Sequence, residues 1–220
     1  MDRSESTGRP SRRLVEGKER RARDGRLLTG QAGDPLRDRL PPGQHAVTKW
    51  PVLDLGVEPS FEPDGWRLAI DGLVEQPLSL DAAGFGVLPM VEARSDIHCV
   101  TGWSRFDNSW RGVATRTLID RVRPAAAARF VIAHGYDGYA TNLGLADFAA
   151  EDALLATEWD GRPLDREHGG PVRLMVPRLY FWKSAKWLRR LEFIAADRPG
   201  FWEVRGYHNR GDPWAEERYG

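Results

Sequence analysis

One thiol occurs in 220 residues. It is Cys99, set in Asp96-Ile97-His98-Cys99-Val100-Thr101-Gly102-Trp103-Ser104. A thiolate is a nucleophile or a soft metal ligand, whereas a thiol in apolar surroundings is only a small hydrophobe. The flanking His98, Trp103, Ser104 and Arg105 are unusual neighbours for an inert core position. A single cysteine forms no internal disulfide and builds no Cys-rich zinc site. A second group lies in His168-Gly169-Gly170-Pro171-Val172-Arg173, followed by Ser184-Ala185-Lys186-Trp187-Leu188. His168, Arg173, Ser184 and Lys186 are donors that could converge on an anion, with Arg as a bidentate fork and Lys as a point charge, a pairing that suits phosphate. Gly169 and Gly170 let backbone approach a ligand. From spacing alone, the same block also reads as a turn with solvated charges. A third group, His134, Asp137 and Tyr139, stands where a strand runs out into a loop. Those residues could wall a pocket, or His134 and Asp137 could serve Cys99 as base and orienter in a cysteine hydrolase.

The elements that must hold these groups are short. Trp66, Leu68 and Ile70 alternate with Arg67 and Ala69, the period of a half-buried strand ended by Asp71-Gly72. Pro77 to Leu80 reads as another strand, with Asp81 capping a short helix that reaches Leu88. Leu118, Ile119 and Val122 have helical spacing, while Phe130 to Ala133 and Val172 to Val176 read as strands. Asp160-Gly161 marks a hairpin. Lys186 to Ile194 reads as the final long strand, with a turn-rich segment after Pro199 wrapping the same domain. Thr48 to Gly56 is extended and interrupted by Pro51, which suits a surface crossing better than a central strand. The sum is an α+β fold, a β-rich single domain with a few short helices.

Residues 1–40 are rich in Arg, Asp, Gly and Ser and read as a disordered or loosely docked N-terminal arm; residues 41–220 form the folded domain. Lys plus Arg and Asp plus Glu are both 32, so bulk charge makes no case for nucleic acid. No apolar run approaches the ~18 residues of a membrane helix. Ser11-Arg12-Arg13-Leu14-Val15 resembles a twin-arginine signal, but Glu16 to Arg21 is charged where an apolar stretch should follow, so the expected location is the cytoplasm. Nine tryptophans point to large aromatic packing units. Neither G-x-G-x-x-G nor a P-loop occurs.

Taken in order, several blocks resemble the sulfite oxidase family of molybdopterin-dependent oxidoreductases, in particular its small bacterial cytosolic members. They are Lys49 to Asp54, Asp71 to Val74, His98 to Ser104, Trp110 to Val113, Asp137-Gly138-Tyr139, His168 to Arg173 and Ser184 to Leu188. The resemblance implies a molybdenum-molybdopterin cofactor, with no haem and no flavin, and Cys99 as the metal's protein ligand. A soft thiolate suits a sulfur-ligated metal. It also implies that His168, Arg173, Ser184 and Lys186 hold the pterin and its phosphate, with Thr48 and Lys49 nearby. Arg105 and Tyr139 are candidates for the reacting end of the site. The arginine pair that follows the cysteine in sulfite oxidases is absent, and Val100 to Arg105 stands there instead. Neither a haem domain nor an immunoglobulin-like dimerisation domain is expected.

The leading expectation is oxygen-atom transfer to or from a small substrate, sulfite-like or an S- or N-oxide. Electrons would pass through a separate electron-transfer protein, and the chain would be a monomer that touches neither nucleic acid nor membrane. The rivals are a non-catalytic cofactor-binding relative and the cysteine hydrolase using Cys99, His134 and Asp137.

Overall fold

Period-2 burial organises most of the chain, as a computed structural model covering residues 37–60 and 65–220, with Arg12, Val15 and Glu16, makes plain. Most of the N-terminal arm lies outside the described residues. Strand β1 (His45–Ala46) is two residues long. In β2 (Arg67–Gly72), Leu68 and Ile70 are fully buried and Arg67 is exposed, as the alternation predicts. Next comes β3 (Leu78–Asp81), and Asp81 caps α1 (Ala82–Gly86) by accepting the Gly84 N–H at 2.7 Å. The strands β4 (Val91–His98) and β5 (Trp103–Ala114) form a long hairpin whose turn carries Cys99. Helix α2 (Thr115–Val122) buries Leu118 and Val122. A hairpin of β6 (Phe130–Gly135) and β7 (Ala140–Gly144) precedes the single turn α3 (Leu145–Phe148). The remaining strands are β8 (Leu154–Trp159), β9 (Arg162–Pro163), β10 (Arg173–Met175) and β11 (Leu188–Ile194). Asp160 and Gly161 join β8 to β9 at φ 48° and 76°, the left-handed pair that a two-residue hairpin turn requires.

Two sheets result. One runs β3-β2-β11-β6-β7, all antiparallel except β2 beside β11, where Ala69 faces Arg190 and Ile70 faces Leu191. The other runs β1-β5-β8-β10, with β4 also paired to β5 and β9 to β8. Their buried faces share one apolar core in which Trp66, Trp110, Leu188 and Phe193 are almost completely enclosed. Each such side chain contributes about 1.5–3 kcal/mol relative to exposure. The architecture is α+β, strand-rich and single-domain, as expected. Among the described residues no helix is long and apolar enough to cross a membrane.

Three local differences stand out. The β4–β5 hairpin and β7 are strands that periodicity does not disclose, because β4 carries three charges among its eight residues and β7 buries Thr141 and Asn142. His134 belongs to β6 rather than to the loop after it. The segment after Pro199 carries a short 3-10 turn at Glu203–Arg205 and a bridge between Tyr207 and Tyr219.

Candidate active site at the β4–β5 turn

Cys99 opens a tight turn. Its N–H donates to the Trp103 carbonyl at 2.8 Å, and its own carbonyl accepts from Gly102 N–H at 2.9 Å and from Gln44 Nε2 at 2.9 Å. Gly102 sits at φ 96°, a conformation that a side chain would strain. The sulfur lies 3.2 Å from Thr101 Oγ1 and faces a cleft. His98 does not line that cleft. Its Nδ1 meets Ser104 Oγ at 2.8 Å, and burial pushes its pKa down to about 4.

Across the cleft stands Arg173, delivered by β10 and 1% exposed. Nη1 donates to the His168 carbonyl at 2.7 Å and Nη2 to the Ser184 carbonyl at 2.9 Å, while Nε is buried without a partner. The guanidinium lies over the Phe181 ring at 4.4 Å, and no carboxylate is paired with it among the described residues. Burial alone drags its pKa from 12.5 to about 9. A buried cation without a counter-charge is costly, so this geometry fits an anionic ligand. Ser184 Oγ accepts the Val176 N–H at 3.0 Å and lines the same cleft. Lys186 reaches the Glu167 carbonyl and lies over the Trp187 ring at 4.8 Å. Gly169, at φ 101°, packs directly on it, since a Cβ there would lie 2.9 Å from Lys186 Cβ. The enclosed part of the cleft has a volume of about 110 Å³ and opens to solvent at its mouth.

The donor set agrees with a pterin-held metal. Among the described residues no three His, Cys, Asp or Glu side chains gather to hold an ion. A metal at Cys99 therefore needs ligands that the chain does not provide, and dithiolene sulfurs are of that kind.

Not every expected residue lies there. Thr48 and Lys49 are exposed and outside the cleft; Trp50 and Pro51, the next two residues, line it instead. The Trp50 ring is drawn inward by aromatic packing, edge-on to Trp110 and Trp159, whereas the two residues before it stay in solvent. That ring stacks on His168 at 3.9 Å and 8°. His168 thus sits behind Trp50 rather than on the cleft wall, and burial pushes its pKa down to about 4. Its carbonyl accepts from Arg173, and its Nδ1 is buried without a hydrogen-bond partner. Arg105 is also displaced: it lies over the Trp159 ring at 4.5 Å and pairs with Asp160 at 3.0 Å. Tyr139 lines the cleft, but its hydroxyl donates to the Trp182 carbonyl at 2.6 Å.

Asp137 lines the cleft at 7% exposure, accepts the Tyr139 N–H at 3.0 Å, and has its pKa pushed up to about 6 by burial. Gly135 makes room for it, since a Cβ at that position would fall 2.4 Å from Asp137 Oδ1. His134 meets Glu192 Oε2 at 3.2 Å and does not line the cleft. Among the described residues no histidine does, so the hydrolase arrangement lacks its base. Sequence reasoning passed over Trp50, Thr101 and Gln44. The aromatic directly before Pro51 is the one signal that could have found the first.

Residues 55–202 match the family described as "Oxidoreductase molybdopterin binding domain". A Bacillus subtilis protein named "Uncharacterized oxidoreductase YuiH" is 47% identical over 182 residues, which are 82% of this chain and 92% of that one. The protein-methionine-sulfoxide reductase catalytic subunit MsrP of Ralstonia nicotianae is 29% identical over 168 residues, covering 69% of this chain and 50% of the relative. The chain therefore spans about half the length of that relative. Among solved structures, the sulfane dehydrogenase SoxCD of Paracoccus pantotrophus aligns with a TM-score of 0.61 at 19% identity, over 76% of this chain and 56% of the other. That likeness shows a common fold.

Proposed function

Because the chain belongs to the molybdopterin-binding oxidoreductase family and is an oxidoreductase of the sulfite oxidase type, we propose that Cys99 is its metal ligand and that it moves an oxygen atom between water and a small neutral oxide. An S-oxide is the favoured substrate class, since the MsrP relative is named for methionine sulfoxide. The observation that carries the reading is the pairing, on one cleft, of the lone thiol with a buried guanidinium that has no carboxylate. When bound, the cofactor supplies the two-electron chemistry and the oxygen exchange.

The chain's own part is electrostatic and geometric. Arg173 and Lys186, with the Ser184 hydroxyl, hold the cofactor's phosphate by charge-assisted hydrogen bonds. Thr101 donates to the Cys99 thiolate and limits its rotation. Trp50 and Trp187 exclude water from the walls, which strengthens every charge interaction inside. Asp137 holds a proton at its carboxyl on the acid side of neutrality and faces the cleft. It is placed to supply one of the two protons needed when an oxide oxygen leaves as water, the second coming from solvent at the cleft mouth. Arg173 is engaged by the phosphate and Arg105 by Asp160, so neither serves an anionic substrate. Electrons pass to or from a separate electron-transfer protein.

The test is metal and pterin analysis of protein expressed in a host that makes the cofactor. Near-stoichiometric molybdenum in the wild type and none in Cys99→Ser is expected. A wild type without metal, or a Cys99→Ser variant that keeps it, overturns the assignment.

A further inference from the structure

The turn that carries Cys99 is held from three directions, and one of them is remote. Gln44 takes the Cys99 carbonyl, and His45 N–H donates to the Gly102 carbonyl at 2.9 Å. The Val100 carbonyl, between them, accepts from Arg218 Nη1 at 2.5 Å. Nη2 of the same guanidinium donates to the Pro42 carbonyl at 3.0 Å, which ties the turn to the segment leading into β1. The planar group lies over the Tyr180 ring at 5.1 Å and its side chain is only 12% exposed. Its nearest carboxylate oxygen, on Glu216, is 3.9 Å from Nε, and Nε itself makes no hydrogen bond. Arg218 is thus a half-buried cation whose close partners are two backbone carbonyls, one of them next to the thiol.

Backbone explains why arginine suits the position. A rigid fork can reach two carbonyls on different segments at once, which a lysine ammonium on a flexible stem does less well. The segment that presents it is itself anchored: Arg218 N–H donates to the Glu216 carbonyl at 2.7 Å, and the Arg218 carbonyl accepts from His208 N–H at 3.1 Å. The same stretch supplies Trp202 and Tyr207 to the cleft wall.

We propose that Arg218 is a positioning residue that fixes the Cys99 turn, and with it the direction in which the sulfur points into the cleft. The proposal rests on the reading of Cys99 as metal ligand, but its mechanical content does not need the metal. Three variants test it in the full chain: Arg218→Gln, Arg218→Lys, and Arg205→Gln as a control from the same segment whose guanidinium donates only to the nearby Phe201 carbonyl. In protein made without cofactor, alkylation of Cys99 by iodoacetamide reports how often the turn opens. Losing a charge-assisted hydrogen bond should speed it about tenfold in Arg218→Gln. Arg218→Lys should fall between, and Arg205→Gln should match the wild type. In cofactor-loaded protein, the paramagnetic resonance spectrum of the metal should shift or broaden in Arg218→Gln and stay unchanged in the control. Wild-type alkylation rates together with a wild-type spectrum in Arg218→Gln overturn the proposal. Should that variant fail to fold, a wild-type rate in Arg218→Lys overturns it equally. If the wild type binds no metal, the alkylation series still decides the clamp while the cofactor reading falls separately.

Discussion

Replacing Arg173 by methionine should separate stability from cofactor binding, with opposite signs. The fall of its pKa from 12.5 to about 9 corresponds to about 5 kcal/mol of unfavourable burial for the charged form. Methionine removes that cost at similar length. It also leaves the His168 and Ser184 carbonyls without their donor, at about 1–3 kcal/mol for each unsatisfied group. The opposing contributions leave the cofactor-free variant between about 1 kcal/mol less and about 3 kcal/mol more stable than wild type, a rise in Tm of at most about 12 °C for a chain of this size. The pH dependence has a definite sign. Between pH 9 and 12.5 the unfolded chain binds the proton that folded Arg173 has lost, so wild-type stability rises with pH in that window. The advantage of Arg173→Met is therefore complete at pH 7 and shrinks above pH 9. Thermal unfolding of cofactor-free protein at pH 7 and pH 10 measures it, and metal analysis of the same variant from a cofactor-making host should find little molybdenum. A variant that melts far below the wild type and still loads metal fully would refute the reasoning, because Arg173 would then be a structural strut.

Other expectations concern the cleft and the core. The Asp137 carboxyl is pushed up from 3.8 to about 6, so the folded state binds the extra proton between those values and stability falls as pH rises through them. Asp137→Asn should be about 3 kcal/mol more stable than wild type above pH 6 and show little advantage near pH 4, in denaturant titrations. Lys183 and Glu203 form a buried ion pair at 2.6 Å with exposures of 0% and 2%. Lys183→Met leaves the Glu203 carboxylate with only Thr141 and Trp182 as donors and removes the donor to Asn142 and Asn209, and should cost about 3–5 kcal/mol in denaturant titrations. Thr48→Ala combined with Lys49→Ala should leave metal content at the wild-type level, whereas Trp50→Ala should lower it.

What could be read from the chain alone follows how local the governing physics is. The strand at Trp66 to Ile70 and the Asp160-Gly161 hairpin are legible because side-chain alternation and turn chemistry act over a few residues. The β4–β5 hairpin is not, because its long strands are stabilised by pairing with each other and with β8. Register shifts near Ser95 and Arg111 further blur the alternation. Arg173 and Cys99 reach the same cleft as their blocks imply, since each is placed by a short, well-defined element. At the N-terminal side the resemblance implied Thr48 and Lys49, which are exposed and outside the cleft, while Trp50 and Pro51 beside them line it. At His168 the ring stacks on Trp50 and the carbonyl accepts from Arg173, two partnerships that no local signal in the sequence discloses. Arg218 was invisible, because nothing about it in sequence points to a carbonyl 118 residues away.

That separation bears on how the protein is made. The Arg190 side chain reaches Asp71 across 119 residues, where β11 joins β2, and the turn at Val100 waits for a donor 118 residues downstream. On a ribosome, β4 and β5 emerge and can pair long before β10 delivers Arg173 or the final segment delivers Trp202, Tyr207 and Arg218. A nascent chain accordingly presents the thiol on an open hairpin with neither the anion-binding wall nor the clamp. On the roles proposed for Arg173 and Arg218, cofactor loading should follow the emergence of residue 218, and a finished domain rather than a growing one is what would take the cofactor up.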